Sequence, residues 1–472
     1  MFTASRIRLL AVTCAALFMA MLDNLVLGVA LPSIQKSFDA SLTDLQWFMN
    51  AYTLAFSVLL IPFSVMGDRF GRKKTFLLGI AIFTLGSALS GLSESSIQLI
   101  LSRALQGIGG AAIVPLSLTL VNSAFPEKMR AAALGIWSGI SGLGLSVGPL
   151  IGGAIVEGAP WQLIFWINVP VGVLAIIGGL FWLKEERGER KPIDPLGIVL
   201  LAAGLFGIVY GLENGNDKGW GSALVVSSLA GGAALLLLFG LWERTRKQPF
   251  VRFDLFRSRR YAAYILTGFW LNAGIFGAIF LLTLFLQQAQ GYSALGAGVR
   301  TMAWTGCTMI AAPLAGLMAG KWGSRGILSA GLLMQGAALA GFALLILSEG
   351  VRVPFAEQMP LMMLAGAGMG LSFTPLSHGI LTSVPDSSSG EASGISNATR
   401  ELGGVFGIAL NGMIFQTGDP IRTPADFGEH LVPALFVSAG MIALGLGCAL
   451  FASGRSEKKK SAENLMPRTA AR

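Results

Sequence analysis

The feature that most limits the fold of this chain is a series of fourteen long apolar stretches. They lie at 8–33, 46–66, 75–93, 97–121, 132–155, 161–183, 195–213, 222–242, 262–288, 294–318, 326–347, 356–382, 392–416 and 430–452. A helix needs roughly 20 apolar residues to cross a bilayer. Barrel strands would alternate in polarity at every second residue, and these stretches do not. The pattern predicts an all-α polytopic membrane protein with 14 transmembrane helices.

Composition excludes the main soluble classes. Hydrophobic residues make up 53% of the chain and charged residues only 12%, about half of the roughly 25% charge usual in soluble proteins. A soluble enzyme, a nucleic-acid-binding protein or a disordered scaffold would need more polar surface. The first stretch, from Arg8 to about Leu31, is too long for a cleavable signal peptide and is predicted to be a retained span.

The positions of the basic residues predict the orientation in the membrane. Of the 34 Lys and Arg residues, only Lys36, Lys218, Arg352 and Arg422 fall in connections opposite the N-terminus, and Arg103, Arg300 and Arg400 lie within stretches. The rest lie on the N-terminal side, so the positive-inside rule places both termini in the cytoplasm. Because topology explains the net charge of +9, we expect no nucleic-acid partner.

The spacing of the stretches predicts five segments. Residues 1–190 form an N-terminal six-helix bundle, 191–243 an inserted transmembrane hairpin, 244–261 a basic cytoplasmic linker, 262–454 a C-terminal six-helix bundle and 455–472 a cytoplasmic tail. Two six-span halves of this kind, related as parallel repeats, build a class of secondary transporters.

A short internal repeat supports that division. Gly67–Lys74 follows the second stretch and Gly316–Arg325 follows the tenth. Aligning Gly71 with Gly323 matches Arg69 to Lys321 and Lys73 to Arg325. Coincidence between two short basic turns is the alternative.

Several kinds of site have no counterpart in the sequence. No Gly-x-x-x-x-Gly-Lys-[Ser/Thr] motif for nucleotide binding occurs. Three distant cysteines (Cys14, Cys307, Cys448) and two distant histidines indicate no metal site and no catalytic cluster. We therefore expect neither an enzyme nor a cofactor, and energy from an ion gradient unless the protein is a passive carrier.

Asp23 is the main candidate for proton coupling. It lies well inside the first stretch, where an ionised carboxylate is costly, so it should face a cavity or a partner and bind a proton readily. Arg103 enters the fourth stretch at a similar depth. We hypothesise that Arg103 shifts the proton affinity of Asp23 between conformations. The alternative is a static ion pair that fixes helix packing.

Asp68, Arg69, Gly71, Arg72 and Lys73 form a candidate conformational latch. One acid among bases at the membrane boundary can form breakable salt bridges between helices, and glycine permits a tight turn. The alternative is an ordinary positive-inside loop.

The fifth stretch is rich in small residues. Gly144, Gly148, Gly152 and Gly153 allow close helix contact, and Pro149 removes a backbone hydrogen bond and is predicted to kink the helix. This helix is predicted to seal or open one side of a central pathway. Tight packing alone is the alternative.

Other ionisable residues lie in or near the stretches. Glu401 is a second candidate for proton handling, because it and Arg400 point about 100° apart on one helix. Glu391 is expected in a loop or at a helix start, and Glu213 at the outer boundary of the seventh stretch, where it would be solvated. For Arg300, a role in substrate binding and one in packing both stay open.

These motifs, in order, resemble the major facilitator superfamily and, within it, the fourteen-span drug:proton antiporter family of the EmrB/QacA type. The resemblance covers nearly the whole chain, and it implies the major facilitator fold with two six-helix bundles and an inserted two-helix hairpin. Its residues are Leu22 to Pro32, Trp47, Tyr52, Gly67 to Lys74 (with Ser64 in place of the usual leading Gly), Arg103, Gln106, Gly107, Gly109, the fifth-stretch glycines with Pro149, and Trp161 to Gly172 with Phe165, Asn168 and Pro170.

The resemblance implies a proton-coupled antiporter that exports amphipathic or cationic drugs across the bacterial inner membrane by alternating access. Export rather than import rests on the fifth-stretch motif. The expected partners are an amphipathic small molecule, protons and the lipid bilayer, and we expect a monomer. Substrate-binding residues are not assigned. A carrier for one endogenous metabolite, peptide or lipid, or a non-transporting receptor, is the alternative.

Overall fold

The computed structural model describes residues 3–188, 194–246, 249, 253–322, 324–385, 388–418 and 421–452, and these residues form helices without strands. The first nine helices are α1 (Ala4–Phe38), α2 (Leu42–Phe70), α3 (Arg72–Gly91), α4 (Ser96–Ala124), α5 (Glu127–Gly158), α6 (Leu163–Trp166), α7 (Asn168–Trp182), α8 (Pro195–Lys218) and α9 (Ala223–Thr245). The others are α10 (Arg259–Leu284), α11 (Ala294–Trp322), α12 (Ser324–Glu349), α13 (Phe355–Leu381), α14 (Ser389–Phe415) and α15 (Pro424–Phe451). A 3-10 helix, Phe253–Arg257, precedes α10, and a π-helical turn, Phe285–Ala289, extends it.

Side-chain caps fix several helix starts and so keep the connections short. At α2 the Ser41 hydroxyl accepts from the Asp44 amide (3.1 Å), and the Asp44 carboxylate accepts from the Ser41 amide (2.9 Å). Thr423 and Asp426 form the same reciprocal pair at α15. Such pairs satisfy amide groups that a helix start leaves without partners.

The helices form two bundles with matching internal packing. In the first bundle α1 packs on α5 and α7, α2 and α3 pack on α4, and α3 packs on α7. In the second bundle α10 packs on α14 and α15, α11 and α12 pack on α13, and α12 packs on α15. Each of these pairings has its counterpart in the other half, which is the arrangement of parallel repeats.

The two basic turns of the internal repeat make matching contacts. Lys73 Nζ donates to the Leu180 carbonyl near the end of α7 (2.7 Å), and Arg325 Nη2 donates to the Leu450 carbonyl near the end of α15 (3.2 Å). Both cations thus satisfy last-turn carbonyls, where positive charge is favourable. The repeat is therefore present in the fold, although Gly323 itself lies outside the described residues.

Helix ends fall on two faces: an N-terminal face, where α1 begins and α2 ends, and the opposite far face. Near the far face the bundles join along α2–α14 and α5–α11. Gln46 Nε2 donates to the Ile408 carbonyl (3.0 Å), and the hydroxyls of Ser146 and Thr305 each donate to the carbonyl of the other residue (both 3.3 Å). The far face is thereby closed.

One seam between the bundles opens toward the N-terminal face. The side of α5 that contacts α11 through Ser146 and Pro149 continues along the helix as Gly142, Gly139 and Gly135. Among the described residues, no other element comes within 4 Å of a Cβ built on these three glycines. The helices α2 and α14, in contrast, stay in contact closer to the N-terminal face, where Ile61 of α2 meets Gly394 of α14. The gap is therefore between α5 and α11.

Twelve of the described helical segments are long and apolar enough to cross a membrane. The helices α11 and α14, of 29 and 27 residues, are not among them. Large apolar side chains on the outer helices are exposed, such as Phe181 (80%), Leu237 (71%) and Ile97 (70%). A surface of this kind requires a bilayer around it, so the chain is a multi-pass membrane protein.

The helices α8 and α9 pack on each other, and α8 also packs on α2 and α14. This placement corrects the expectation for Glu213, which is not solvated but only 1% exposed. The reason is that α8 continues beyond it to Lys218 and that α2 covers its side chain.

Two boundaries also differ from expectation. The helix α10 begins at Arg259, three residues before position 262, because the Ser258 hydroxyl caps it by accepting from the Tyr261 amide (3.3 Å). Within the predicted linker, Phe253–Arg257 is helical.

Glu391 lies in the first turn of α14, as expected for a helix start. The tail at 455–472 lies outside the described residues.

Candidate functional site

Asp23 is completely buried where α1 meets α4 and α7. Its Oδ2 forms an ion pair with Nη1 of Arg103, which is 1% exposed. Its Oδ1 accepts from Gln106 Nε2 (2.7 Å) and from Asn168 Nδ2 (3.2 Å). Two helices, α4 and α7, therefore supply three donors to one carboxylate, and both of its oxygens are satisfied.

The polar groups that bind Asp23 also form hydrogen bonds with one another and with their neighbours. Arg103 Nη1 also donates to Gln106 Oε1 (2.7 Å), while Asn168 Nδ2 also donates to the Ser87 hydroxyl (3.0 Å). Ser87 in turn donates to the Phe165 carbonyl (2.8 Å). These bonds fix the orientation of every amide around Asp23, so the carboxylate is held in place from several sides.

Arg103 has further partners that would remain if Asp23 became neutral. Its Nε donates to the Phe48 carbonyl (3.1 Å), and its guanidinium lies over the rings of Tyr52 (4.6 Å to the centroid) and Phe165 (5.7 Å). Carbonyl and aromatic contacts of this kind stabilise a buried cation. Gly107 permits the approach of α2, because a Cβ there would collide with the Tyr52 backbone.

This arrangement can couple a proton to helix packing. Ionised Asp23 ties α1 to α4 and α7 by three charge-assisted contacts. A proton on Asp23 would remove its charge and weaken these contacts while Arg103 kept its contacts to Phe48, Tyr52 and Phe165. Charge-assisted hydrogen bonds are roughly twice as strong as neutral ones. The proton would thus loosen α1 against its neighbours.

The fifth-stretch residues position α1. A Cβ on Gly144 would stand 3.1 Å from the Phe18 carbonyl, and one on Gly148 3.1 Å from the Leu22 carbonyl. One turn further, a Cβ on Gly152 would stand 2.7 Å from the Val26 carbonyl. This spacing of four residues brings the α1 backbone against α5 on both sides of Asp23.

Gly153 and Pro149 lie on the other side of α5, against the second bundle. A Cβ on Gly153 would come within 2.6 Å of the Ala294 carbonyl, and the Pro149 carbonyl abuts Gly298. The helix is continuous through Pro149, from Glu127 to Gly158. The predicted kink at Pro149 stays a prediction.

The candidate latch lies at the N-terminal face and contacts the segment after α7. Asp68 forms an ion pair with Arg72 (2.8 Å), and Arg72 Nη1 lies 3.8 Å from Glu186 Oε2. The amides of Lys73 and Lys74 donate to the Glu185 carboxylate (3.1 and 3.3 Å). Glu185 thus caps α3, and the described ion pairs of Asp68 and Arg72 lie within the first bundle. Arg69 lies over the Phe70 ring (5.6 Å).

Gly71 makes this contact possible. It separates α2 from α3 with a φ of 126°, a region that L side chains rarely adopt. A Cβ there would stand 2.5 Å from the Glu185 carboxylate. The turn and its acidic cap therefore need glycine at this position.

Arg400 and Glu401 are adjacent on α14 and differ in their contacts. The Arg400 guanidinium lies over the Phe373 ring (4.3 Å), and the side chain passes close to Gly268 of α10. Glu401 is half-buried and, among the described residues, forms no hydrogen bond or ion pair. Arg300 lies over Tyr292 (3.6 Å) and donates to the Gly296 carbonyl (3.0 Å), which are packing contacts near the far face.

Comparison with known proteins decides the family. Residues 13–408 match the family model described as Major Facilitator Superfamily. The chain belongs to this superfamily. It is therefore a transporter and not an enzyme.

Two relatives of this facilitator are similar over most of their length. The tetracenomycin C resistance and export protein of Streptomyces glaucescens is 35% identical over 427 residues, which cover 90% of this chain and 78% of the relative. The multidrug resistance protein Stp of Mycobacterium tuberculosis (strain CDC 1551 / Oshkosh) is 35% identical over 404 residues, 85% and 74% of the two chains.

A solved structure agrees with the facilitator fold. The crystal structure of a bacterial homolog of the human lysosomal transporter Spinster matches with a TM-score of 0.66 at 18% identity, covering 96% of this chain and 98% of the other. At this identity the likeness concerns the fold alone.

The facilitator's site is larger than the ionisable pair of Asp23 and Arg103 that the sequence indicated. It also contains Gln106, Asn168 and Ser87. The sequence indicates Gln106 and Asn168 only as residues of the family resemblance and assigns them no role. A polar side chain in an otherwise apolar span, at the depth of Asp23, is a signal that could have assigned them.

In the described part of the chain, no group of three His, Cys, Asp or Glu residues could hold a metal ion.

Proposed function

We propose that this facilitator exports amphipathic or cationic drugs and other toxic compounds in exchange for protons, by alternating access. The observation that carries the proposal is the buried ring in which Asp23 meets Arg103, Gln106 and Asn168. Drug export is supported by the relatives, which are named for resistance and export.

We further propose a fourteen-span arrangement of the EmrB/QacA type. The helices α11 and α14 would complete the two bundles, and α8 with α9 would form the inserted hairpin. Their packing supports this, because α11 pairs with α5 and α14 pairs with α2 in a reciprocal manner. The family resemblance favours the bacterial inner membrane, and the distribution of basic residues favours an orientation with the N-terminal face in the cytoplasm.

The exchange would use Asp23 as the proton carrier. With the far face closed, ionised Asp23 is paired with Arg103, and the gap between α5 and α11 would admit a substrate from the cytoplasm. After the bundles rock to open the far face, a proton from outside would neutralise Asp23 and loosen α1. Return to the present conformation and loss of the proton to the cytoplasm would restore the ion pair.

The other candidate residues would set the conformations. The latch at the cytoplasmic face would consist of Asp68, Arg69, Gly71, Arg72 and Lys73. Its partners would be Glu185 and Glu186. The α5 glycines would keep α1 packed against α5 and let α5 move against α11. Glu401, half-buried without a hydrogen-bond partner among the described residues, would be a second proton-handling group.

A carrier dedicated to one compound is the second candidate function. The Streptomyces glaucescens relative is named for the resistance to and export of a single compound, whereas the Mycobacterium tuberculosis relative is named for multidrug resistance. Accumulation assays with chemically unrelated dyes separate the two: a broad exporter lowers the accumulation of several dyes and a dedicated carrier affects one class. A non-transporting receptor would affect none.

The decisive experiment measures uptake of a cationic dye by inverted membrane vesicles, with and without an imposed proton gradient. We expect gradient-driven uptake by the wild type and its loss in Asp23→Asn. Asp39→Asn is the matched control, because Asp39 lies exposed at the end of the same helix. Wild-type uptake by Asp23→Asn would refute Asp23 as the coupling site and direct attention to Glu401. No dye uptake would favour a dedicated carrier.

A further inference from the structure

A second buried carboxylate lies away from Asp23, toward the far face, where α8 meets α2 and α14. Glu213 of α8 is 1% exposed, and Asn50 of α2 is fully buried. Asn50 Nδ2 donates to Glu213 Oε1 at 2.6 Å. Nothing described above assigns a function to this pair.

Two acceptor atoms of the pair have no donor. Glu213 Oε2 and Asn50 Oδ1 are both buried and, among the described residues, have no hydrogen-bond partner. Buried polar atoms are nearly always satisfied. An ionised carboxylate and an amide oxygen only accept, whereas a protonated carboxyl also donates. A proton on Oε2 would let Glu213 and Asn50 form two hydrogen bonds in a ring and satisfy both atoms.

The surroundings give an ionised Glu213 no compensating charge. The other ionisable groups on the helices packed here are Tyr210, Asp217 and Lys218 of α8, Asp44, Tyr52, Asp68 and Arg69 of α2, Glu391, Arg400 and Glu401 of α14, and Glu243 and Arg244 of α9. None of them forms an ion pair or hydrogen bond with Glu213 in the described part of the chain. Burying an unpaired charge is strongly unfavourable.

The pair lies where α8 holds the two bundles together. One turn beyond Glu213, Asn216 Nδ2 donates to the Met413 carbonyl of α14 (2.5 Å), and Thr43 of α2 donates to Asp217 (3.1 Å). Gln416, the residue after the end of α14, donates to the same Thr43 hydroxyl (3.4 Å). Opening of the far face would change these contacts and expose Glu213 to water.

We propose that Glu213 and Asn50 form a second proton-binding site, which is occupied while the far face is closed. When the far face opens, the carboxyl transfers its proton to water, giving a hydrated carboxylate and a hydronium ion. Closure requires the reverse transfer. The charged form thus favours the open far face and the neutral form the closed one. This inference rests on the alternating access of the proposed function, but not on any substrate.

Pulsed electron paramagnetic resonance on the full-length protein in nanodiscs tests the proposal. Cys14, Cys307 and Cys448 are first replaced, and spin labels are placed at Ser37→Cys and Arg352→Cys, exposed far-face positions in the two bundles. We expect the fraction with long distances to rise as the pH is raised. Glu213→Gln retains the ring of hydrogen bonds without a titratable proton, and it should lose this rise. Asp217→Asn, an exposed carboxylate one turn away, should retain it.

A rise in Glu213→Gln equal to that of the parent would overturn the proposal. Infrared difference spectroscopy provides a second readout if a variant folds poorly. In the Asp23→Asn background, the spectrum of the protein with a closed far face should contain the carbonyl band of a protonated carboxyl, and Asn50→Leu should shift it. Absence of that band would also overturn the proposal. Neither readout requires transport, so failure of dye export would leave the result interpretable.

Discussion

Asp23 and Asp39 lie on the same helix and have the same side chain, yet only Asp23 has its charge balanced inside the protein. Asp39 ends α1 in a left-handed conformation and is solvated. Asp23 has an arginine and two amides from two other helices, α4 and α7, around it. Its neighbours in space, and not its residue type, therefore make it a candidate for coupling.

Asn168→Ala should slow gradient-driven dye uptake. The substitution removes one of the two donors to Oδ1 and with it about 1–3 kcal/mol of stabilisation of the carboxylate. Because this donor joins α7 to Asp23, its loss weakens one of the contacts through which Asp23 would act on helix packing. Initial uptake rates in inverted vesicles under one imposed proton gradient would show the decrease.

Asn214→Ala is the matched control for that measurement. Asn214 is also buried and donates to a carbonyl of its own helix, that of Tyr210 (3.0 Å). Its uptake rate should match that of the wild type. A rate for Asn168→Ala that equals both would show that Asn168 serves only packing.

At the scale of the helix, α5 presents two different glycine surfaces. Gly144, Gly148 and Gly152 touch α1, whereas Gly135, Gly139 and Gly142 face the gap toward α11. The first set fixes a close contact within a bundle. The second set lies on a surface that is covered only when the bundles change their relative orientation.

Gly152→Ala should destabilise the protein, whereas Gly142→Ala should not. A Cβ at Gly152 would stand 2.7 Å from the Val26 carbonyl and 2.8 Å from Val26 Cγ2, so α1 must shift, at a cost of about 1–3 kcal/mol. At Gly142 the space is open in this conformation. Thermal unfolding in detergent should show a lower Tm for Gly152→Ala alone. Equal melting temperatures would contradict the close α1–α5 contact.

The sequence predicted most helices within a few residues, because apolar length and basic connections depend only on local composition. It also indicated Asp23, Arg103 and the α5 glycines as candidates, and in the structure Asp23 contacts Arg103 while three of those glycines contact α1. It did not reveal that Gln106 and Asn168 bind Asp23, since those bonds join residues far apart in the chain. The burial of Glu213 was missed for the same reason: it depends on how α8 packs against α2.

At the scale of the whole molecule, the structure is asymmetric: closed at the far face and separated between α5 and α11 toward the N-terminal face. The reciprocal pairing of α2 with α14 and α5 with α11 means that both bundles use equivalent helices at their interface. A rocking motion can therefore exchange one closed end for the other without repacking either bundle.

Glu157→Cys with Ser293→Cys should lock the far face when oxidised. The Ser293 hydroxyl donates to Glu157 Oε2 at 2.8 Å across the seam between the bundles. After replacement of the native cysteines, a cross-link here should reduce vesicle uptake to background, and a reductant should restore it. Each single cysteine variant, treated identically, is the control. Undiminished uptake by the cross-linked protein would show that the far face need not open.

The contacts that close the far face are almost all between uncharged groups. Amides, hydroxyls and backbone carbonyls join the bundles at Gln46, Ser146 and Gln287, and Glu157 binds a hydroxyl and an amide rather than a cation. Dissolved salt screens exposed charges but has little effect on neutral hydrogen bonds. In the proposed orientation this face meets the external medium, whose ionic strength the cell does not control. The strength of the contacts that close this face should therefore depend little on the external salt concentration, and the closed state should be equally stable at high and at low ionic strength.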